Sequence, residues 1–261
     1  MRRIGICGLA GLTLLLCLSS SAWSYTLELQ YDSNANLADA YARKTSTGGV
    51  VEDKPVVVTG PGLVSQSATT GGSPALAGGG GTTRPAVVLT DHVDNTQRII
   101  NAVAAAGHTN EIYYEGYSQA VGESIFGFKI IAGPGEPSRV KVTIGFGVSG
   151  LINLKKDSAY DKLILNYDCL LKNFKGNDFR IAGEQKTWQG SPVSTTYSKW
   201  GEVTVVLETN TLYIFEGFLQ VDAGAYDIND ENNINFDAFV RIKDIKRVYG
   251  TAHIMNLLLS D

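Results

Sequence analysis

The sequence predicts a mainly β protein, an antiparallel β-sandwich or closed β-sheet with one short α-helix. Three observations support this class. The chain of 261 residues has 29 glycines and only 18% charged residues, a composition that favours turns and strands. Short segments rich in Val, Ile, Phe and Tyr follow one another after residue 110 without helices between them. Four sequence blocks also recur about 67 residues apart, which indicates two similar four-stranded units.

Residues 1–24 have the three parts of a secretory signal peptide. Two arginines near the start precede an uncharged apolar run at 4–18, and small residues at 22 and 24 mark a cleavage site ahead of Tyr25. The apolar run is shorter than the roughly 20 residues that a spanning helix needs. We therefore expect a secreted, periplasmic or cell-surface protein with no transmembrane segment after cleavage.

The charge and the cysteines narrow the class further. The chain has a net charge of −4, which makes nucleic acid a poor partner. Of three cysteines only Cys169 would remain after cleavage, so we expect no internal disulfide. The sequence has no Asn-x-Ser/Thr glycosylation acceptor, which fits bacterial export.

The mature chain divides into three segments by composition. Residues 25–59 begin with an alternating strand and continue as strand and loop. Residues 60–85 are rich in Gly, Ser, Thr, Ala and Pro, which predicts a flexible segment. Residues 86–261 are predicted to form the β-sandwich domain, beginning with a helix over Asp91–Ala106 that Gly107 ends.

After Gly107 the sequence predicts seven strands. They are Ile112–Tyr117, Ser124–Ile131, Arg139–Phe146, Leu163–Leu171, Glu202–Glu208, Thr211–Val221 and Asn233–Ile242. The repeated blocks fall within residues 146–190 and 213–256, where Gly150 matches Gly217 and Tyr160 matches Tyr226. Because neither unit could cover its apolar face alone, we expect the two to pack together. The alternative is that two unrelated β-meanders share the same pattern.

Residues 145–150 read Gly-x-Gly-x-x-Gly, the string of a dinucleotide-binding fingerprint. That chemistry needs a helix that starts at the third glycine, so that its amides face the pyrophosphate. The residues after Gly150 have poor helical spacing, and the matching Gly217 has no such string before it. We therefore predict a glycine-rich bend in a strand.

Residues 116–120, Gly-Tyr-Ser-Gln-Ala, resemble the nucleophile elbow of cutinase-like esterases, with Ala120 in place of the last glycine. The resemblance implies Ser118 as nucleophile, and Asp222 and His253 follow in the matching order. The residues after Ser118 do not predict the helix that an elbow requires. A polar position in a strand or turn is the alternative.

Residues 227–238 resemble a calcium loop of the EF-hand or dockerin kind. Asp227, Asn229 and Glu231 supply oxygen ligands at the first, third and fifth positions. Asn232 replaces the turn glycine, and Ala238 stands where a bidentate carboxylate is expected. The alternatives are a hairpin loop of Asn and Asp, or an irregular Ca²⁺ site.

The polar stretch 184–200 carries the aromatic residues Trp188, Tyr197 and Trp200. Aromatic faces beside amides and hydroxyls are typical of sugar-stacking sites. These three residues are therefore the candidate ligand-binding residues. The alternative is that their rings cover the open edge of the sandwich.

These observations predict an exported, non-catalytic β-sandwich protein that acts as a cell-surface, matrix or carbohydrate-binding module. Its expected partners are polysaccharide or other surface proteins. The alternatives are a secreted serine hydrolase and a calcium-stabilised surface protein. No cofactor is expected, apart from Ca²⁺ in the last case. The sequence indicates no oligomeric state.

Overall fold

A computed structural model describes residues 25–31, 36–46, 49–60, 64–70, 73–79, 87–89, 95–107, 114–155, 161–173, 178–225 and 231–248. The predicted signal peptide, 1–24, lies outside these ranges. Within them the chain forms fourteen strands and no helix. Accordingly, no helix of the described residues is long and apolar enough to cross a membrane.

The strands are numbered in chain order. They are β1 Tyr25–Tyr31, β2 Asn36–Ser46, β3 Gly49–Gly60, β4 Val64–Thr70, β5 Ser73–Gly79, β6 Val87–Leu89, β7 Asn95–Gly107, β8 Tyr114–Ala132, β9 Arg139–Leu154, β10 Lys162–Asn173, β11 Asp178–Gln189, β12 Val193–Glu208, β13 Tyr213–Ala225 and β14 Glu231–Arg247.

The strands form two sheets in which the strand pairs described are antiparallel. Sheet A has the order β11-β10-β13-β8-β1-β6, and β2 pairs with the first half of β8 and carries β3 on its other side. Sheet B has the order β12-β9-β14-β7-β5-β4. The prediction of an antiparallel β-sandwich is confirmed.

Alternating side chains build the core between the sheets. In β10 the odd-numbered residues from Leu163 to Leu171 are buried, while the even-numbered ones face the outer side. Aromatic rings from both sheets meet in the middle of the core. The Phe215 ring centroid lies 4.9 Å from that of Phe126, also in sheet A, and 6.2 Å from that of Phe146 in sheet B. This packing leaves the outer faces of both sheets to solvent.

The predicted helix over Asp91–Ala106 is wrong, because residues 95–106 belong to strand β7. Its apolar residues stand at both odd and even positions, so they satisfy a helical and a strand period equally well. Pairing with two neighbours decides between them. β7 lies between β14 and β5, and its small residues Ala102, Ala104 and Ala106 are buried against sheet A.

The segment 60–85, predicted to be flexible from its composition, contains strands β4 and β5. Its small side chains are ordered because they join an existing sheet: β5 pairs with β7, and Ala75 and Ala77 are buried. Segment 25–59 likewise supplies β1, β2 and β3 to sheet A. Composition alone does not reveal such pairing, because the partner strand is distant in sequence.

The matching blocks of the repeat lie in strands of opposite sheets. The block at Gly150 lies in β9 of sheet B and its match at Gly217 in β13 of sheet A, while the second block passes from β10 of sheet A to β14 of sheet B. In the described residues 146–190 span three strands and 213–256 span two, rather than four each. The duplication itself stays a prediction.

Candidate ligand-binding face

The three predicted ligand-binding aromatic residues do not form one site. Tyr197 and Trp200 both lie in β12, and their odd separation places them on opposite faces of sheet B. Tyr197 points between the sheets with Trp188, whereas Trp200 lies on the outer face. The two places have different chemistry.

Trp188 and Tyr197 close the edge of the sandwich where β11 meets β12. Their rings pack edge to face at 5.5 Å, and Lys186 Nζ lies 4.4 Å from the Tyr197 ring centroid. The Tyr197 hydroxyl donates to Glu184 Oε2 at 3.2 Å. Burial, and then the Glu184 carboxylate, raise the pKa of Tyr197. The internal contacts of this cluster support the edge-covering role.

Trp200 lies across two glycines of the neighbouring strand. A Cβ added to Gly147 would meet Trp200 Cε3 at 1.9 Å, and one added to Gly145 would meet Cζ2 at 2.6 Å. The six-membered ring therefore covers both glycines, and any side chain there would lift it. Even so, 38% of Trp200 stays exposed, so the indole forms a solvent-facing aromatic platform.

Charged groups hold the indole in place. Trp200 Nε1 donates to Glu202 Oε1 at 2.7 Å, and the same oxygen accepts from Lys243 Nζ at 2.8 Å. Arg241 lies 3.4 Å from it and 5.5 Å from the ring centroid. Although desolvation opposes the change, hydrogen bonds from Lys243 and Trp200 outweigh it and lower the pKa of Glu202. The carboxylate is thus ionised at neutral pH and anchors the ring.

The structure explains the Gly-x-Gly-x-x-Gly string. All three glycines lie within strand β9 and open no helix, which confirms the strand interpretation. Two of them make the floor beneath Trp200. The third, Gly150, allows close approach of β14, because a Cβ there would lie 2.0 Å from the carbonyl oxygen of Asn235.

The outer face of sheet B also carries other exposed apolar side chains. Trp200, Leu151 and Leu76 are three of the four large hydrophobic residues exposed in the described part of the chain, the fourth being Val57 of sheet A. Phe239 stands opposite Gly147, in the same cross-strand row as Trp200. Between the Trp200 row and the Leu151 row lies a polar row: Ser198, Ser149, Asp237 and Asn101.

Ser118 does not occupy a nucleophile elbow. It lies within strand β8, is fully buried and donates from Oγ to the Ala105 carbonyl at 2.7 Å. Ser118 pairs with Ala223 in β13, so Asp222 projects to the opposite face of sheet A. There Asp222 accepts from Gln119 and Gln220, each at 3.0 Å from Oδ1. The structure therefore keeps this serine and this acid apart, and His253 lies outside the described residues.

The predicted calcium loop is largely outside the described residues. Asp227 and Asn229 fall there, and Glu231 begins β14 without a described side chain. The described residues hold no group of three or more His, Cys, Asp or Glu side chains suited to a metal ion. Calcium binding by this loop stays a prediction.

Sequence reasoning found Trp200 but missed its surroundings. Glu202 and Arg241 are 39 residues apart, and they meet only because β9 lies between β12 and β14. A signal was present in the glycine pair, since two glycines at alternate strand positions predict space on one face. What fills that space depends on strand register, which the sequence does not indicate.

Replacing Gly147 with alanine should move the Trp200 ring away from the sheet, because the new methyl group would overlap Cε3. We expect stronger acrylamide quenching of fluorescence from the chain 25–261 with Trp188→Phe, in which Trp200 is the remaining tryptophan. Ser149→Ala, two residues further along the same face, is the control and should leave quenching unchanged. Equal quenching before and after Gly147→Ala would show that the glycine does not support the ring.

Comparison with known proteins adds little to this description. No protein-family model matches the chain, and no curated protein does. Among solved structures, one described as carbohydrate-binding modules from the β-sandwich superfamily matches at 9% identity and a TM-score of 0.16, covering 87% of this chain and 99% of that one. The structure of infectious bursal disease virus, Gx strain, matches at 9% identity and 0.17, covering 90% and 70%. At these TM-scores neither similarity carries an argument. The chain is an antiparallel β-sandwich by its own topology.

Proposed function

We propose that this chain is an exported, non-catalytic β-sandwich protein that binds carbohydrate through the outer face of sheet B. The observation that carries the proposal is the Trp200 indole, supported by Gly145 and Gly147 and exposed on its outer side. The signal-like pattern of residues 1–24 supports export, to the cell surface, matrix or periplasm.

The chemistry of this face suits a sugar. Sugar rings present flat faces of C–H groups, which pack on aromatic rings, and a rim of hydroxyls that needs hydrogen-bonding partners. Trp200 offers the flat surface, and the adjacent row of Ser149, Ser198 and Asp237 offers donors and acceptors. Because Glu202 fixes the indole before any ligand arrives, little side-chain entropy is lost on binding.

Two further aspects are part of the proposal. The opposite directions of Ser118 and Asp222 disfavour the serine-hydrolase alternative and support a non-catalytic role. Polysaccharide is the expected partner rather than another surface protein, because one flat ring among polar groups suits a sugar better than a broad protein interface.

Replacing Trp200 with alanine should lower affinity for the bound polysaccharide about tenfold or more, because a central aromatic contact is lost. Affinity is measured by titration calorimetry after a glycan panel identifies a ligand of the intact protein. Val57→Ala, a change of another exposed hydrophobic residue on the outer face of sheet A, is the control. Unchanged affinity in Trp200→Ala, or no binding to any glycan, would contradict the proposal.

A further inference from the structure

The outer face of sheet B becomes basic on one side of Trp200. Successive cross-strand rows beyond the Trp200 row place Arg241 opposite Gly145, Lys243 opposite Thr143 and Lys246 opposite Lys141. On β12, Glu202 lies in the same row as Arg241, and its carboxylate accepts from Arg241 and Lys243. Four basic side chains thus face one carboxylate among the described side chains of these rows. The next row, Arg139 opposite Glu208, is balanced.

Lys141 and Lys246 are the exposed part of this strip. Both are exposed to solvent, and they stand directly opposite each other on β9 and β14. Like charges at directly opposite positions destabilise a sheet. The ion pairs that the described residues make on this face use Lys243 and Arg241, so the two exposed lysines are left facing solvent. The stability of the fold therefore does not explain why two lysines stand opposite each other.

The strip also runs against the charge of the whole chain. The net charge is −4, yet the described side chains of the rows beside the aromatic platform are positive in sum. A local field of opposite sign beside a binding surface attracts ligands of complementary charge. The strip begins at the residues that hold Trp200 in place, so ring and cations form one continuous surface.

From this juxtaposition we infer that the ligand is an acidic polysaccharide, one whose sugars carry carboxylate or sulfate groups. The inference rests on the proposed function and names its substrate class. One sugar stacks on Trp200 while acidic groups of the next sugars meet Arg241, Lys141 and Lys246. Gly147 and Lys141 are six positions apart in β9, about 20 Å at 3.4 Å per residue. The ligand thus runs along the strands and is longer than one sugar.

An anionic membrane is the competing occupant, and the geometry disfavours it. Membrane-binding aromatic side chains insert into the interface between headgroups and acyl chains. The Trp200 ring instead lies flat against Gly145 and Gly147, and its Nε1 donates a hydrogen bond to Glu202. A ring held against its own sheet offers a face for stacking but not a wedge for insertion.

The test compares two forms of one polymer. Binding of the full mature chain to polygalacturonate and to its carboxyl-reduced, neutral counterpart is measured by affinity electrophoresis and calorimetry. We expect tight binding to the acidic form alone, weakening as salt rises because the contacts are exposed. The double variant Lys141→Gln/Lys246→Gln should weaken binding about fivefold to tenfold at low salt. The control Lys129→Gln/Lys162→Gln makes the same charge change on sheet A and should have no effect.

Each outcome is decisive. Equal or tighter binding to the neutral polymer, lost in Trp200→Ala, would overturn the acidic ligand while leaving carbohydrate binding intact. If sulfated dextran binds and polygalacturonate does not, the acidic group is sulfate and the inference holds. Binding to phosphatidylglycerol vesicles but to neither polymer would overturn both the inference and the proposed function. So would the absence of binding to every probe.

Discussion

Replacing Phe215 with alanine is expected to lower the free energy of unfolding by about 4 kcal/mol, the usual cost of removing a buried aromatic ring. Phe215 is fully buried, and its ring stacks on Phe126 within sheet A and reaches Phe146 in sheet B. The substitution removes the ring that joins the two sheets. The sheets are held at a fixed distance by many other side chains, so they cannot collapse onto the cavity.

Urea denaturation followed by circular dichroism measures the effect as a lower midpoint with an unchanged slope. Phe218→Ala in the same strand is the matched control. Phe218 points to the outer face of sheet A and is partly exposed, so we expect a loss of only about 1 kcal/mol. Similar losses for both variants would contradict the inward direction of Phe215.

The inner strands were predictable because each has one buried face. In β10 and β13 buried residues alternate with half-buried ones over most of the strand, and both strands are rich in Leu, Ile, Phe and Tyr. That composition, between segments of Gly, Asn and Asp, predicts a strand without the need for strict alternation. The edge strand β11 was missed, because most of its residues are exposed or half-buried on both faces. Its strand conformation comes from pairing with β10, and that pairing leaves no periodic pattern in the local sequence.

The sequence could in part have predicted that Tyr197 and Trp200 lie on opposite faces of the sheet. Had the strand predicted to begin at Glu202 been extended back to Val193, parity alone would have placed Tyr197 and Trp200 on opposite faces. Their polar neighbours hid the extension, because β12 is an edge strand with exposed residues on both faces over its first half. Thus the site residue was found and its face was not.

The glycines beneath Trp200 and the basic strip beside it could not be predicted from the sequence, for a different reason. Each depends on register between β9, β12 and β14, in which residues paired across β9 are 39 to 107 positions apart in the chain. A slip of one residue would move Gly147 from beneath Trp200 and turn Lys141 to the core. Register follows from the packing of the whole sandwich, so it is a property of tertiary structure.

Replacing Glu136 with alanine is expected to lower the free energy of unfolding by about 3 kcal/mol. Glu136 lies in the connection between β8 and β9, and its side chain is only 4% exposed. Arg247 donates from Nε to Oε2 and from Nη2 to Oε1, both at 2.8 Å, which ties this connection to the end of β14. Without the carboxylate, a largely buried guanidinium would keep its desolvation cost and lose this bidentate ion pair.

Two measurements separate this effect from a general loss of packing. Arg180→Ala breaks an ion pair with Asp168 whose side chains are 59% and 39% exposed, so its loss should stay below about 1 kcal/mol. Burial, and then the Glu136 carboxylate, raise the pKa of Tyr25 to about 12, so Glu136→Gln should lower that pKa in a spectrophotometric titration. A tyrosine titration that does not change, with a stability loss no larger than that of Arg180→Ala, would show that Glu136 does not connect these three segments.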